Sequence, residues 1–193
     1  MRALLLSLAM VSSLAIGTPI LAQTLKVNPN LTIDVTGFSG DANALPNAAS
    51  NVEAHSGARV AAIAYNNPTG TPGYGVILVQ GLNVRLMRLE KPDGEAVEIR
   101  EASPPAWMSS WRNQRRAAIA DRAKVSLADA IRTAEASENG APAVVAGIAR
   151  SASNPTSDVH AYMVGLLKNG KLRSVAVDSE TGNVIANPEA LTM

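Results

Sequence analysis

The sequence predicts an α+β protein made of two small modules, each a helix packed on an antiparallel β-meander. Three observations predict it. Apolar alternation at period 2, punctuated by Gly, Pro, Asn and Asp, recurs in two separate stretches, 59–99 and 143–186. An apolar stripe at helical spacing, Leu127, Ala130, Ile131 and Ala134, stands ahead of the second stretch. The two meanders also align on each other without a gap at a constant offset of 88, Tyr74 on Tyr162 through Gly94 on Gly182. Val76/Val164, Leu78/Leu166 and Arg85/Arg173 are identical within that alignment, and the apolar faces of the strands keep phase.

Residues 1–22 read as a signal peptide. Met1-Arg2 is a short basic start, Ala3 to Ile16 an apolar run, and Ile20-Leu21-Ala22 a small-residue cleavage site before Gln23. The run is shorter than the ~20 apolar residues that span a bilayer. No second apolar segment of spanning length follows, so no stable membrane span is expected.

The N-terminal module covers 23–102. Leu31 to Val35 alternates like a strand, and Asp41 to His55 has helical spacing that Pro46 and three Asn weaken. Strands follow at Arg59–Tyr65, Tyr74–Gln80, Asn83–Glu90 and Ala96–Ile99. Between the last two, Pro92-Asp93-Gly94 supplies a turn, Pro presetting φ and Gly accepting a positive one. Residues 103–124 form a helical linker: Ser103-Pro104-Pro105 marks the boundary, and Trp107 to Lys124 carries Trp107 and Trp111 on one side and arginines around the rest.

The C-terminal module covers 125–190. Ser126-Leu127-Ala128-Asp129 is a near capping box, with Asp in place of Glu, opening a helix that Asn139-Gly140 stops. Strands are expected at Ala143–Arg150, His160–Lys168, Lys171–Asp178 and Asn183–Ala186, with Asn169-Gly170 as a tight hairpin turn.

Ser126 to Pro188 resembles a PepSY domain. The capped helix with Ala130-Ile131 and Ala134, the helix-ending Gly140, the Tyr162-Met163-Val164 strand start and the run from Val175 to Ile185 carry the resemblance. That last run has the family's ending: an apolar strand, Asp, a few residues, Gly and a short apolar pair. By the repeat, 42–99 resembles a second, degenerate copy, departing from the pattern at Pro46, Glu90 and Pro92-Asp93. The resemblance implies a small α+β module of secreted and envelope proteins, found in propeptides of secreted metallopeptidases. It implies a binding or regulatory role on a protein partner of the cell envelope, such as a peptidase, rather than catalysis. The alternative is a periplasmic small-ligand-binding or sensory protein.

Composition narrows the classes further. There is no Cys, which excludes thiolate catalysis, thiolate metal sites, disulfides and a lipid-bearing thiol at the cleavage region. Lys and Arg number 17 against 16 Asp and Glu, and losing Arg2 balances the mature chain, so nothing points to nucleic acid. Phe and Trp and Tyr make up only 3% of residues, so the core must be aliphatic.

Catalytic candidates are sparse. The two histidines, His55 and His160, have no H-E-x-x-H around them, and there is no G-x-S-x-G. His55 reads as a helix end and His160 as a strand start. Asp178-Ser179-Glu180-Thr181-Gly182 reads as a turn rather than a cation loop, because it lacks the alternating ligands of a calcium site. Arg85 and Arg173 hold equivalent positions that suit an anion or solvent. The Trp107/Trp111 helix suits a membrane surface or an acidic partner, or else packing on a sheet with its arginine heads in water. The sequence therefore predicts no enzyme, no catalytic, cofactor or metal residues, and an exported protein of the periplasm or medium.

Overall fold

A computed structural model of the chain describes residues 24–28, 31–66, 73–81, 83–89, 100–102, 118–151, 159–186 and 191–192. The predicted signal peptide, the Pro92-Asp93-Gly94 turn, the strand at 96–99 and Trp107 and Trp111 lie outside the described residues.

The chain is α+β, with an antiparallel sheet and few helices. Its strands are β1 (Thr24–Asn28), β2 (Leu31–Asp34), β3 (Arg59–Asn66), β4 (Gly73–Gln80), β5 (Asn83–Leu89), β6 (Arg100–Ala102), β7 (Ala143–Ile148), β8 (Arg150–Ser151), β9 (Ala161–Lys168), β10 (Lys171–Asp178) and β11 (Leu191–Thr192). Its helices are α1 (Ala44–Ser56) and α2 (Leu127–Ser137), and 118–122 is also helical. Helix α1 forms in full despite Pro46, because Pro46 is its third residue. An N–H is missing there only where a first-turn N–H has no intrahelical acceptor. Gly57 ends it in the left-handed conformation, φ 64°, donating to the Glu53 carbonyl.

Helix α2 opens as its sequence dictates. The Ser126 hydroxyl oxygen accepts from the Asp129 N–H at 3.0 Å and donates to the Asp129 carboxylate at 2.7 Å. Leu127, Ala130, Ile131 and Ala134 are all buried. At the hairpin between β9 and β10, Asn169 and Gly170 both take positive φ, 53° and 71°, the pair that a two-residue turn matched to strand twist requires.

The two predicted meanders do not form separate sheets. They join edge to edge through β3 and β7 into one seven-stranded antiparallel sheet of order β10-β9-β7-β3-β4-β5-β6. Helices α1 and α2 pack on each other and on one face of it. One apolar core, from Ile33 and Leu45 through Ile63 and Leu127 to Val177, lies between the helices and the sheet across both halves. On the opposite face, Ala120 of the 118–122 run packs against Ala61 and Val79. Two further expectations are revised. A strand β1, unforeseen, pairs with β2. The strand expected at 183–186 shrinks to a single bridge, Val177 to Val184, flanked by the Asp178 N–H donating to the Asn183 carbonyl at 2.9 Å and the Ile185 N–H donating to the Ala176 carbonyl at 2.8 Å.

The pairing registers of the two halves match position for position. Tyr74, Val76 and Leu78 face Leu89, Met87 and Arg85 on β5; Tyr162, Val164 and Leu166 face Val177, Val175 and Arg173 on β10. Ile63 pairs with Val76 as Ala146 pairs with Val164. The ladder slips between Val60 and Ala62 in one half and between Ala143 and Val145 in the other, the same place in both. At the junction Ile63 pairs with Ala146, its own counterpart, flanked by Ala62 with Gly147 and Ala64 with Val145. These pairings exchange under a local two-fold axis through the Ile63–Ala146 pair.

Candidate functional site

Helix packing extends the two-fold to the polar groups. Leu45, Ala48, Ala49, Val52 and Glu53 of α1 hold the places of Leu127, Ala130, Ile131, Ala134 and Glu135 of α2. Each glutamate reaches past its helix end to the first strand residue at the bulge. The Glu53 carboxylate accepts from the Val60 N–H and the Glu135 carboxylate from the Ala143 N–H, both at 2.8 Å. A bulge leaves a main-chain donor without its ladder partner, and each carboxylate takes that donor up.

Beneath the turn leading into each helix lies a buried tyrosine, Tyr162 below α2 and Tyr74 below α1. The Tyr162 hydroxyl donates to the Val125 carbonyl at 3.1 Å. The Arg59 guanidinium donates to the Ala123 carbonyl at 3.0 Å and the Val125 carbonyl at 3.4 Å. Burial pushes the Tyr162 phenol up to about 12, while Arg59 beside it pulls the other way and Glu53 adds to the rise. This polar cluster is closed: phenol, carboxylate, guanidinium and carbonyls all have partners.

The matching cluster under α1 is not closed. Tyr74 is fully buried, and its hydroxyl makes no hydrogen bond. Burial holds its ionisation far above the ordinary phenol range, with Tyr65 and Asp41 adding to it. Glu135 is only 5% exposed, and burial raises its carboxyl to about 7 against the Ala143 hydrogen bond, with Asp41 adding to the rise. Tyr74 is held in place by edge-to-face contact with Tyr65 at 5.9 Å, and Tyr65 by Phe38 at 5.1 Å. The Tyr65 hydroxyl donates to the Thr36 carbonyl at 3.0 Å. Four of the chain's six Phe, Trp and Tyr residues thus sit in the core, Tyr65, Tyr74, Tyr162 and Phe38.

The residues weighed in the sequence fall elsewhere. His55 is exposed at the end of α1, with Nδ1 donating to the Asn51 carbonyl at 2.8 Å. His160 is exposed before β9, its Nδ1 4.0 Å from Glu180, which also pairs with Lys124 at 2.8 Å. The Asp178 carboxylate closes its own turn, accepting from the Glu180 and Thr181 N–H groups and the Thr181 hydroxyl. Those bonds, the Thr181 N–H first, hold its carboxyl below the usual range. Among the described residues no group of three or more His, Asp and Glu is placed to hold a metal. Arg85 and Arg173 are not brought together: β5 and β10 stand on opposite sides of the sheet, with β9, β7, β3 and β4 between them. Among the described residues no helix is long and apolar enough to cross a membrane.

Sequence reasoning passed over Asp41, Glu53, Arg59 and Glu135. A signal for the glutamates was present, since each follows an aligned apolar helix stripe one residue after Val52 or Ala134.

No protein-family model matches the chain, and no curated protein sequence is detectably similar to it. Among solved structures, a crystal structure described as a "putative lipoprotein" from Clostridium difficile 630 is similar in part. The identity is 14%, the match covers 69% of this chain and 84% of that one, and the TM-score is 0.39.

Proposed function

We propose that the chain is an exported, non-enzymatic envelope protein built of two PepSY-like halves, which binds and regulates an envelope or secreted protein, a peptidase being the first class to test. The reading is supported by what the residues that carry the resemblance do. Ser126 caps α2, Gly140 ends it with an N–H donating to the Glu135 carbonyl at 2.8 Å, and Tyr162 anchors the strand under the helix. Asp178 and Gly182 close the final turn, Gly182 at φ 76°. The pattern is therefore one of fold maintenance, which suits a module that acts through its surface. The two-fold register supports treating the first half as a copy of the second.

Export is tested by N-terminal sequencing of the protein recovered from the producing cell, which is expected to begin near Gln23; a soluble species retaining Met1 overturns it. The regulatory role is tested by adding the purified mature chain to secreted metallopeptidases and measuring turnover of a peptide substrate. Dose-dependent inhibition or activation supports the role, and unchanged turnover across the panel, with no complex by size-exclusion chromatography, counts against it.

A further inference from the structure

The local two-fold relates two polar clusters that differ in their charged groups. Under α2 the cluster contains a guanidinium, that of Arg59. Arg59 precedes Val60, so its counterpart precedes Ala143, and that residue is Pro142. By the helix register, Asp41 and Asn43 stand where Ala123 and Val125 stand. The cluster under α1 therefore has the phenol of Tyr74 and the carboxylate of Glu135, gains the carboxylate of Asp41, and lacks the arginine.

The consequence shows at Tyr74. Its counterpart Tyr162 donates to the Val125 carbonyl, whereas the Asn43 carbonyl is turned into the first turn of α1, where it accepts the Asn47 N–H at 3.0 Å. The Tyr74 hydroxyl is left buried without a hydrogen bond, which costs on the order of 1–3 kcal/mol unless something takes it up. Arg132 also acts on Glu135, but its guanidinium is engaged by Asp129 at 2.9 Å and Ser50 at 3.2 Å. Asp41 and Asn43 are exposed and Pro142 is half-buried, whereas Glu135 and the Tyr74 hydroxyl are buried, so a ligand reaches those two only by displacing the cover over them.

We propose that the Asp41–Tyr74–Glu135 cluster beneath the start of α1 binds an alkylguanidinium group, which takes the place that Arg59 holds in the other half. A planar guanidinium presents five N–H donors, enough to serve two carboxylates and a phenol oxygen at once. The group comes either from a free alkylguanidinium compound or from an arginine side chain of a partner. The site stands on the two-fold and the Tyr74 hydroxyl, and does not depend on the family reading or on peptidase regulation.

The test uses the mature chain with two probes, agmatine and a short neutral peptide carrying one central arginine, read by isothermal titration calorimetry and thermal midpoint at pH 8. Butylamine and the same peptide with citrulline serve as controls. A probe that favours the native state raises the midpoint. Binding of agmatine alone identifies a free ligand; binding of the arginine peptide, a partner side chain. In either case Tyr74→Phe and Asp41→Asn should each weaken binding about tenfold, the ratio that about 1.4 kcal/mol represents. Pro142→Arg, which supplies the guanidinium from within, should raise the midpoint of the free protein and abolish probe binding. No binding of either probe at millimolar concentration, or binding that all three variants leave unchanged, overturns the proposal.

Discussion

Tyr74 and Tyr162 show how one side-chain type acquires different energetics at two-fold-related places, and Glu135 shows how burial moves a carboxyl. Burial raises the Glu135 carboxyl to about 7, above its ordinary 4.5, so between those values the folded chain holds a proton that the unfolded chain has released. Stability from this group is full below the lower value and falls as pH rises through the upper one. Urea midpoints should therefore decline from pH 5 to pH 8, and Glu135→Gln, which keeps an oxygen acceptor for the Ala143 N–H, should flatten that decline. A variant with the wild-type slope would show that another group causes it. The tyrosines give a paired expectation. Tyr162→Phe deletes a hydrogen bond to the Val125 carbonyl and should cost about 1 kcal/mol. Tyr74→Phe deletes a hydroxyl that has no partner and should be neutral or stabilising by urea denaturation. Equal losses would mean that both hydroxyls are satisfied in solution.

Elements of this fold owe their ends to a few local contacts. Helix α2 has eleven residues, short for independent stability, so its cap and its buried stripe must share the work. Ser126→Ala removes the acceptor for the Asp129 N–H and should cost about 1 kcal/mol in thermal or chemical denaturation. In the β9–β10 hairpin, Gly170 at φ 71° tolerates a conformation that costs an L-residue about 1–2 kcal/mol, so Gly170→Ala should lose stability of that order. If either variant matched the wild type, the local account of these ends would be wrong.

Across the whole molecule, the joint between β3 and β7 turns two helix–meander halves into one body. The sheet's middle strands are lined by small residues where they must come close. A Cβ on Gly165 would lie 2.6 Å from the Val145 methyl, and one on Gly147 3.1 Å from the Ala62 Cβ. Gly165→Ala should thus force β7 and β9 apart and cost about 1–3 kcal/mol. Because one core spans both halves, unfolding followed by far- and near-ultraviolet circular dichroism should give coincident transitions. Two separated transitions would mean that the halves fold independently despite the shared sheet.

What the sequence determined by itself is the local grammar: the cap at Ser126, the stop at Asn139-Gly140, the turn at Asn169-Gly170, and strands in matched phase at Tyr74–Gln80 and Tyr162–Lys168. These signals act over a few residues, through main-chain dihedrals and alternation, and need no knowledge of distant chain. Helix α1 was legible but undervalued, because Pro46 is harmful only beyond the first turn and its place in the turn depends on where the helix starts. Tertiary structure alone decided that β3 would pair with β7, since an apolar strand edge carries no address and the choice of partner follows from burying both halves under a common pair of helices. The same long-range joining set Arg59 under the turn before α2 and left Tyr74, Glu135 and Asp41 together without a counterpart to it. Those residues are far apart in sequence, and only the two-fold brings their difference into view.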